Sequence, residues 1–205
     1  MHKLLRLSIA ALLFVVTTCV VPTRAPMMKF QTATAVHSCK PDKNFPQMIR
    51  LPFFGKATQV VNDCAIYPNY QVAVALLVFY YTWIDYFGDE GYAVSNLLDD
   101  IMIEWGPEKK TITKAYNVHG ESVLNRKILG MVMSDTMIWV YQRGRFDTDK
   151  ISDTSLIHEL VHVAIRAVGG GSGDPDHEGD KYDGWTPAHT ALIREANGVL
   201  RSYGI

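Results

Sequence analysis

His158-Glu159-Leu160-Val161-His162 sets two imidazoles four positions apart with a carboxylate beside the first. On a helix, residues four apart stand on one face, a turn above one another, so both rings can reach a single ion. Glu159, next to the first ring, projects toward water held on that ion. This is the arrangement for metal-assisted hydrolysis with a carboxylate as base. The stretch carries a helix's punctuation. Ser152-Asp153-Thr154-Ser155 supply capping side chains before it, and Gly169-Gly170-Gly171 end it. Ile157, Val161, Ala164, Ile165 and Val168 form an apolar stripe. The plain alternative is a buried helix whose histidines are satisfied by hydrogen bonds. Burying two imidazoles and a carboxylate without a metal demands several polar partners, each costly if missing, and this favours the metal.

The five residues resemble the active-site helix of the zincin superfamily of zinc-dependent metallopeptidases, which carries HExxH. The resemblance rests on His158 to His162 and extends loosely over the strand-then-helix setting from Met137 to Val168. It names no subfamily: the metzincin extension needs glycine where Ile165 stands and histidine where Val168 stands. It implies one zinc ion held by His158 and His162, with Glu159 as general base in the hydrolysis of peptide bonds by zinc-activated water.

A catalytic zinc takes three protein ligands and keeps one open position. His177 lies fifteen positions past His162, in a loop whose Asp174, Asp176 and Asp180 can orient its ring. The twelve-residue pattern of an EF-hand is missing from that loop, which discounts calcium. His189 lies on the closing helix, which Thr186 caps and Pro187 starts. At about 100° per residue, Ile193, Ala196, Leu200 and Tyr203 fall within about 60° of His189, and Glu195 about 120° away. That speaks against the gluzincin arrangement, which draws its glutamate from a later helix. Some small zincins take a third histidine from beyond the active-site helix, and this similarity makes His177 the preferred ligand. His189 and the loop carboxylates stay open, and His189 can also be a core histidine or a hydrogen-bond donor to the reacting carbonyl. Tyr182, Tyr203 and His189 are candidates to stabilise the oxyanion.

Elements must hold these groups. The apolar, aromatic run from Tyr70 to Phe87 lacks the alternation of a half-buried strand and is too short for a bilayer, so it reads as a buried helix. Ile101 to Trp105, Thr111 to Tyr116, Lys127 to Ser134 and Met137 to Gln142 read as strands, punctuated by Gly106-Pro107 and Asn117-Val118-His119-Gly120. Helices follow near 153–168 and 187–202. The order is α+β: a small zincin-like domain over 66–205, with a mixed or antiparallel sheet, an active-site helix and a closing C-terminal helix. Residues 26–65, with Pro26, Pro41, Pro46 and Pro52, read as an irregular arm of that domain.

The totals bound the function. A chain of 205 residues, 48% hydrophobic and 20% charged, suits one globular domain and excludes extensive disorder. A net charge of -1 argues against a dedicated nucleic-acid binder. The basic start Met1 to Arg6, the uncharged run Leu7 to Val21 and Thr23-Arg24-Ala25 read as a signal peptide cleaved after Ala25, with an uncleaved anchor as the alternative. A lipoprotein reading through Cys19 fails on Thr18, where a small residue is wanted. The expected product is secreted or periplasmic, without a stable membrane span. Removing Lys3, Arg6 and Arg24 from the 20 Lys+Arg leaves 17 against 21 acidic residues, a net charge of -4. Cys39 and Cys64 remain and are expected to pair, contributing roughly 3 kcal/mol, with two buried thiols as the alternative. The expected activity is an exported zinc peptidase acting on peptides or proteins. Its rivals are a non-catalytic zinc-binding envelope or interaction protein, a hydrolase of other amides such as a deformylase, and insertion of the 72–84 helix in a membrane.

Overall fold

A helix that is apolar on every side has to sit inside a fold, and the stretch after Pro68 does so. In the computed structural model, which describes residues 47–51, 57–62, 67–112, 115–116, 122–123, 126–170 and 184–205, it forms α1 (Asn69–Phe87). Val72, Val74 to Phe79 and Trp83 are buried around its whole circumference. The buried Thr82 hydroxyl donates to the Val78 carbonyl at 2.7 Å, which satisfies it within the helix. Gly88, at φ +73°, ends the helix and donates its N–H to the Ile84 carbonyl. No helix among the described residues is long and apolar enough to cross a membrane.

The described residues all fall within one compact unit, Cys39–Ile205, and their architecture is α+β. A five-stranded mixed sheet has the order β1-β2-β3-β9-β8. Its strands are β1 (Gln47–Arg50), β2 (Ala57–Asn62), β3 (Met102–Gly106), β9 (Met137–Tyr141) and β8 (Gly130–Ser134). The central pairings, β2 with β3 and β3 with β9, are parallel; β1 and β8 add to the edges antiparallel. Ile103 stands opposite Ile138 and Trp105 opposite Val140, and all four are buried. Trp139, on the other face, lies across Gly106, where any Cβ would strike its indole. Strands covered on both faces read as continuous apolar runs, as Ile138 to Tyr141 does. Two short antiparallel ladders lie between β3 and β8 in the chain: β4 (Lys110–Ile112) with β7 (Arg126–Ile128), and β5 (Ala115–Tyr116) with β6 (Ser122–Val123).

Three further helices complete the described fold: α2 (Ala93–Asp100), α3 (Leu156–Ala167) and α4 (Pro187–Ser202). α3 packs on β8 and β9 and touches α2 and α4, and α4 lies along α1.

Several expectations change. The stretch 26–65 is not wholly irregular, because its described part supplies β1 and β2, stabilised by parallel pairing to β3 that local sequence does not advertise. The expected strand over 111–116 divides into β4 and β5, and that over 127–134 breaks at Leu129, with β7 and β8 joining different partners. Helix α3 starts at Leu156, after a 3₁₀ turn at Ile151–Asp153. Thr154 Oγ1, not Ser155, accepts the N–H of Leu156 at 3.2 Å. Helix α2 was not expected; Asp89 caps it by accepting the N–H groups of Val94 and Ser95 at 2.9 and 3.1 Å. The leader, Cys39, Cys64, His177 and Tyr182 lie outside the described residues.

Candidate metal centre

Helix α3 is enclosed. Of Leu156 to Ile165 only His158 keeps partial exposure, and every other side chain is buried. The helical spacing does what it must: the Nε2 atoms of His158 and His162 lie 3.1 Å apart, with the rings edge-on at an interplanar angle of 81°. Zinc–nitrogen bonds of about 2.0–2.1 Å in a tetrahedral site would set two ligand nitrogens roughly 3.3 Å apart, so the pair fits one ion. Among the described residues no group of three His, Cys, Asp or Glu side chains comes together. The pair alone is therefore an incomplete site.

Glu159 is 4% exposed. Burial pushes its carboxyl up to about 8 from an ordinary value of 4.5, because a charge is poorly solvated there. Burial is the whole cause of that rise, with no charged neighbour contributing to it. Its carboxyl lies against the Cα of Gly130 at the start of β8, beside the Ser155 hydroxyl. That hydroxyl donates to the Leu129 carbonyl at 2.8 Å, so it ties strand to helix instead of capping α3.

Trp185 forms a wall over both imidazoles, its ring centroid 5.3 Å from that of His158 and 5.0 Å from that of His162. Its indole N–H donates to Thr190 Oγ1 at 3.1 Å, which fixes the ring to the first turn of α4.

His189 lies on the buried face of α4 with Leu192, Ala196 and Leu200, as its periodicity predicts. Ile193 is only half-buried, and Tyr203, past the helix end, is exposed. His189 Nδ1 accepts the backbone N–H of Thr186 at 2.9 Å. It thus fills the place that glutamate or glutamine takes in a capping box. Burial lowers its pKa, against a smaller opposing effect of the Thr186 bond, so the ring is neutral with its proton on Nε2. A protonated Nε2 is a donor and not a metal ligand. The ring stacks on Phe87 with centroids 4.3 Å apart and an interplanar angle of 19°; Trp83 and Trp185 flank it. His189 is a capping and packing residue here and is not brought into a ligand set with His158 and His162. Glu195 accepts from the Tyr86 hydroxyl at 2.9 Å on the outer side of α4. Tyr203 lies fourteen residues beyond His189, roughly 20 Å along the helix axis.

The residues flanking 171–183 meet at the foot of α3. Gly184, at φ +86°, sits so close to the Gly170 carbonyl and the Ile165 side chain that no Cβ fits there. His177 belongs to the thirteen residues between them. Sequence reasoning missed Trp185 and Gly130 because both reach the site through tertiary contacts; the only local signal is the position of Trp185 between a loop glycine and a helix cap.

No protein-family model, characterised protein or solved structure matches the chain.

Proposed function

We propose that the chain is an exported zinc-dependent peptidase in which His158, His162 and His177 hold one zinc ion and Glu159 is the general base. The observation that carries this reading is the pair of Nε2 atoms 3.1 Å apart on one face of α3. The adjoining Glu159 carboxyl supports it: it is buried beside the pair, with its pKa raised by burial alone, a costly place for a carboxyl that has only a structural part. For His177 the support is the meeting of Gly170 and Gly184 beside Ile165, one turn past His162. A chain segment of seven residues spans up to roughly 23 Å, enough to reach His158 and His162 from either side. Export rests on the leader Met1 to Ala25, and the pairing of Cys39 with Cys64 on the oxidising compartment it implies.

When bound, zinc would supply Lewis-acid polarisation of the scissile carbonyl and acidify an attacking water. The rest falls to the chain. Glu159 takes the proton of the attacking water and hands it to the departing amine. Trp185 holds the two imidazoles in place and excludes water from behind them.

The test is elemental analysis of the purified protein together with casein hydrolysis. One zinc per chain and measurable cleavage are expected. Glu159→Gln keeps the zinc and loses roughly 100-fold or more of the activity, and His158→Ala loses both. Zinc without turnover in the unaltered protein would replace this reading with a non-catalytic zinc-binding module. Unchanged turnover in Glu159→Gln would remove Glu159 as base.

A further inference from the structure

Gly130 has an ordinary backbone: it is not among the residues with positive φ, so its conformation alone does not require glycine. Space does. A Cβ at this position would strike Oε1 and Cδ of Glu159 and the Ser155 hydroxyl. The strand cannot readily move away, because the Leu129 carbonyl accepts twice, from Ser155 Oγ at 2.8 Å and from the N–H of Tyr141 at 2.7 Å. One bond ties it to α3 and the other to β9, where Gly130 is also in register with Val140. The missing side chain is thus a slot clamped from two sides, and the Glu159 carboxyl fills it.

We propose that Gly130 is a positioning residue for Glu159: the bare Cα sets where the carboxyl rests, and the doubly bonded Leu129 carbonyl holds β8 at that distance. The inference uses the peptidase reading only in taking Glu159 as the base. In an enzyme, displacing a reacting group by about 1 Å removes roughly 100-fold in rate. Gly130→Ala should therefore lower kcat on casein about 10- to 100-fold with KM and zinc content unchanged.

The deciding experiment needs no turnover. Thermal midpoints of the full chain are measured for Gly130→Ala in the presence of Glu159, Glu159→Gln and Glu159→Ala, with Ser155 kept in all three because its bond to the Leu129 carbonyl is half of the clamp. With Glu159 and with the equally large glutamine, Gly130→Ala should lower the midpoint on the order of 5–10 °C. With Glu159→Ala, which removes the carboxyl from the slot and leaves only the Ser155 hydroxyl against the new Cβ, the drop should become clearly smaller. Equal drops in all three backgrounds, or failure of Gly130→Ala to fold even with Glu159→Ala, would overturn the proposal. Recovery with Glu159→Ala upholds it even if Gly130→Ala alone does not fold. If the unaltered protein hydrolyses nothing, the peptidase reading falls while this comparison still reports whether Gly130 places Glu159.

Discussion

A carboxyl whose pKa rises on folding holds its proton more tightly in the folded chain than in the unfolded one, and Glu159, pushed up to about 8 by burial, is such a group. Below pH 4.5 both states are protonated and the residue is neutral toward stability. As pH climbs from there to about 8 the unfolded chain releases the proton first, so stability falls across that window and levels off above it. Chelator-stripped protein should accordingly lose stability between pH 5 and pH 9, whereas Glu159→Gln, which carries no charge, should not. By urea titration at pH 9 the variant should exceed the unaltered protein by a few kcal/mol, while near pH 5 the two should lie close. A second residue offers a direct readout. Trp185 is in ring contact with both imidazoles, so cobalt bound by them should quench its emission, and Trp185→Phe should remove most of that quenching. Emission insensitive to cobalt that is shown to be bound would separate the indole from the metal.

Among the elements, those with their own apolar signature were readable. Tyr70 to Phe87 announces a helix because nearly every side chain in it is apolar, Leu156 to Ala167 because its apolar residues recur at helical spacing between capping residues and glycines, and the spacing of His158 and His162 needs nothing beyond helical geometry. Helix α2 was not readable because its cap, Asp89, stands five residues before the first N–H it accepts, across Gly91 and Tyr92 in left-handed conformations. β1 and β2 owe their form to distant pairing, and β7 and β8 look like one strand until Leu129 is seen to divide two ladders. The cap of α4 can be tested by itself. His189→Ala removes the acceptor for Thr186 N–H and the ring stacked on Phe87, and should destabilise by about 2–4 kcal/mol. His189→Gln restores the acceptor and should recover about 1 kcal/mol of that loss. Both variants should keep their metal, and loss of zinc in His189→Ala with its fold intact would make His189 a ligand after all.

At the scale of the molecule, the sheet and α1 provide a floor and a pillar, and the candidate centre is assembled on them from β8, α3 and the start of α4. The first and last of these meet α3 only through long-range contacts, which is why the motif was legible from sequence while the slot at Gly130 and the Trp185 wall were not. The α+β order was legible too, since it depends on where apolar runs begin and end and not on which strands pair. One property of α3 has a kinetic side. Of Leu156 to Ile165 only His158 reaches the surface, so local fraying has little of this helix to release. Its amide hydrogens should exchange with deuterium only when the whole domain opens, later than those of the β4–β7 and β5–β6 ladders. Mass-spectrometric exchange on the intact protein reads this directly: peptides covering 156–167 should be among the last to gain mass, and a helix that gains it as early as the short ladders would not be the rigid mount that two fixed imidazoles require.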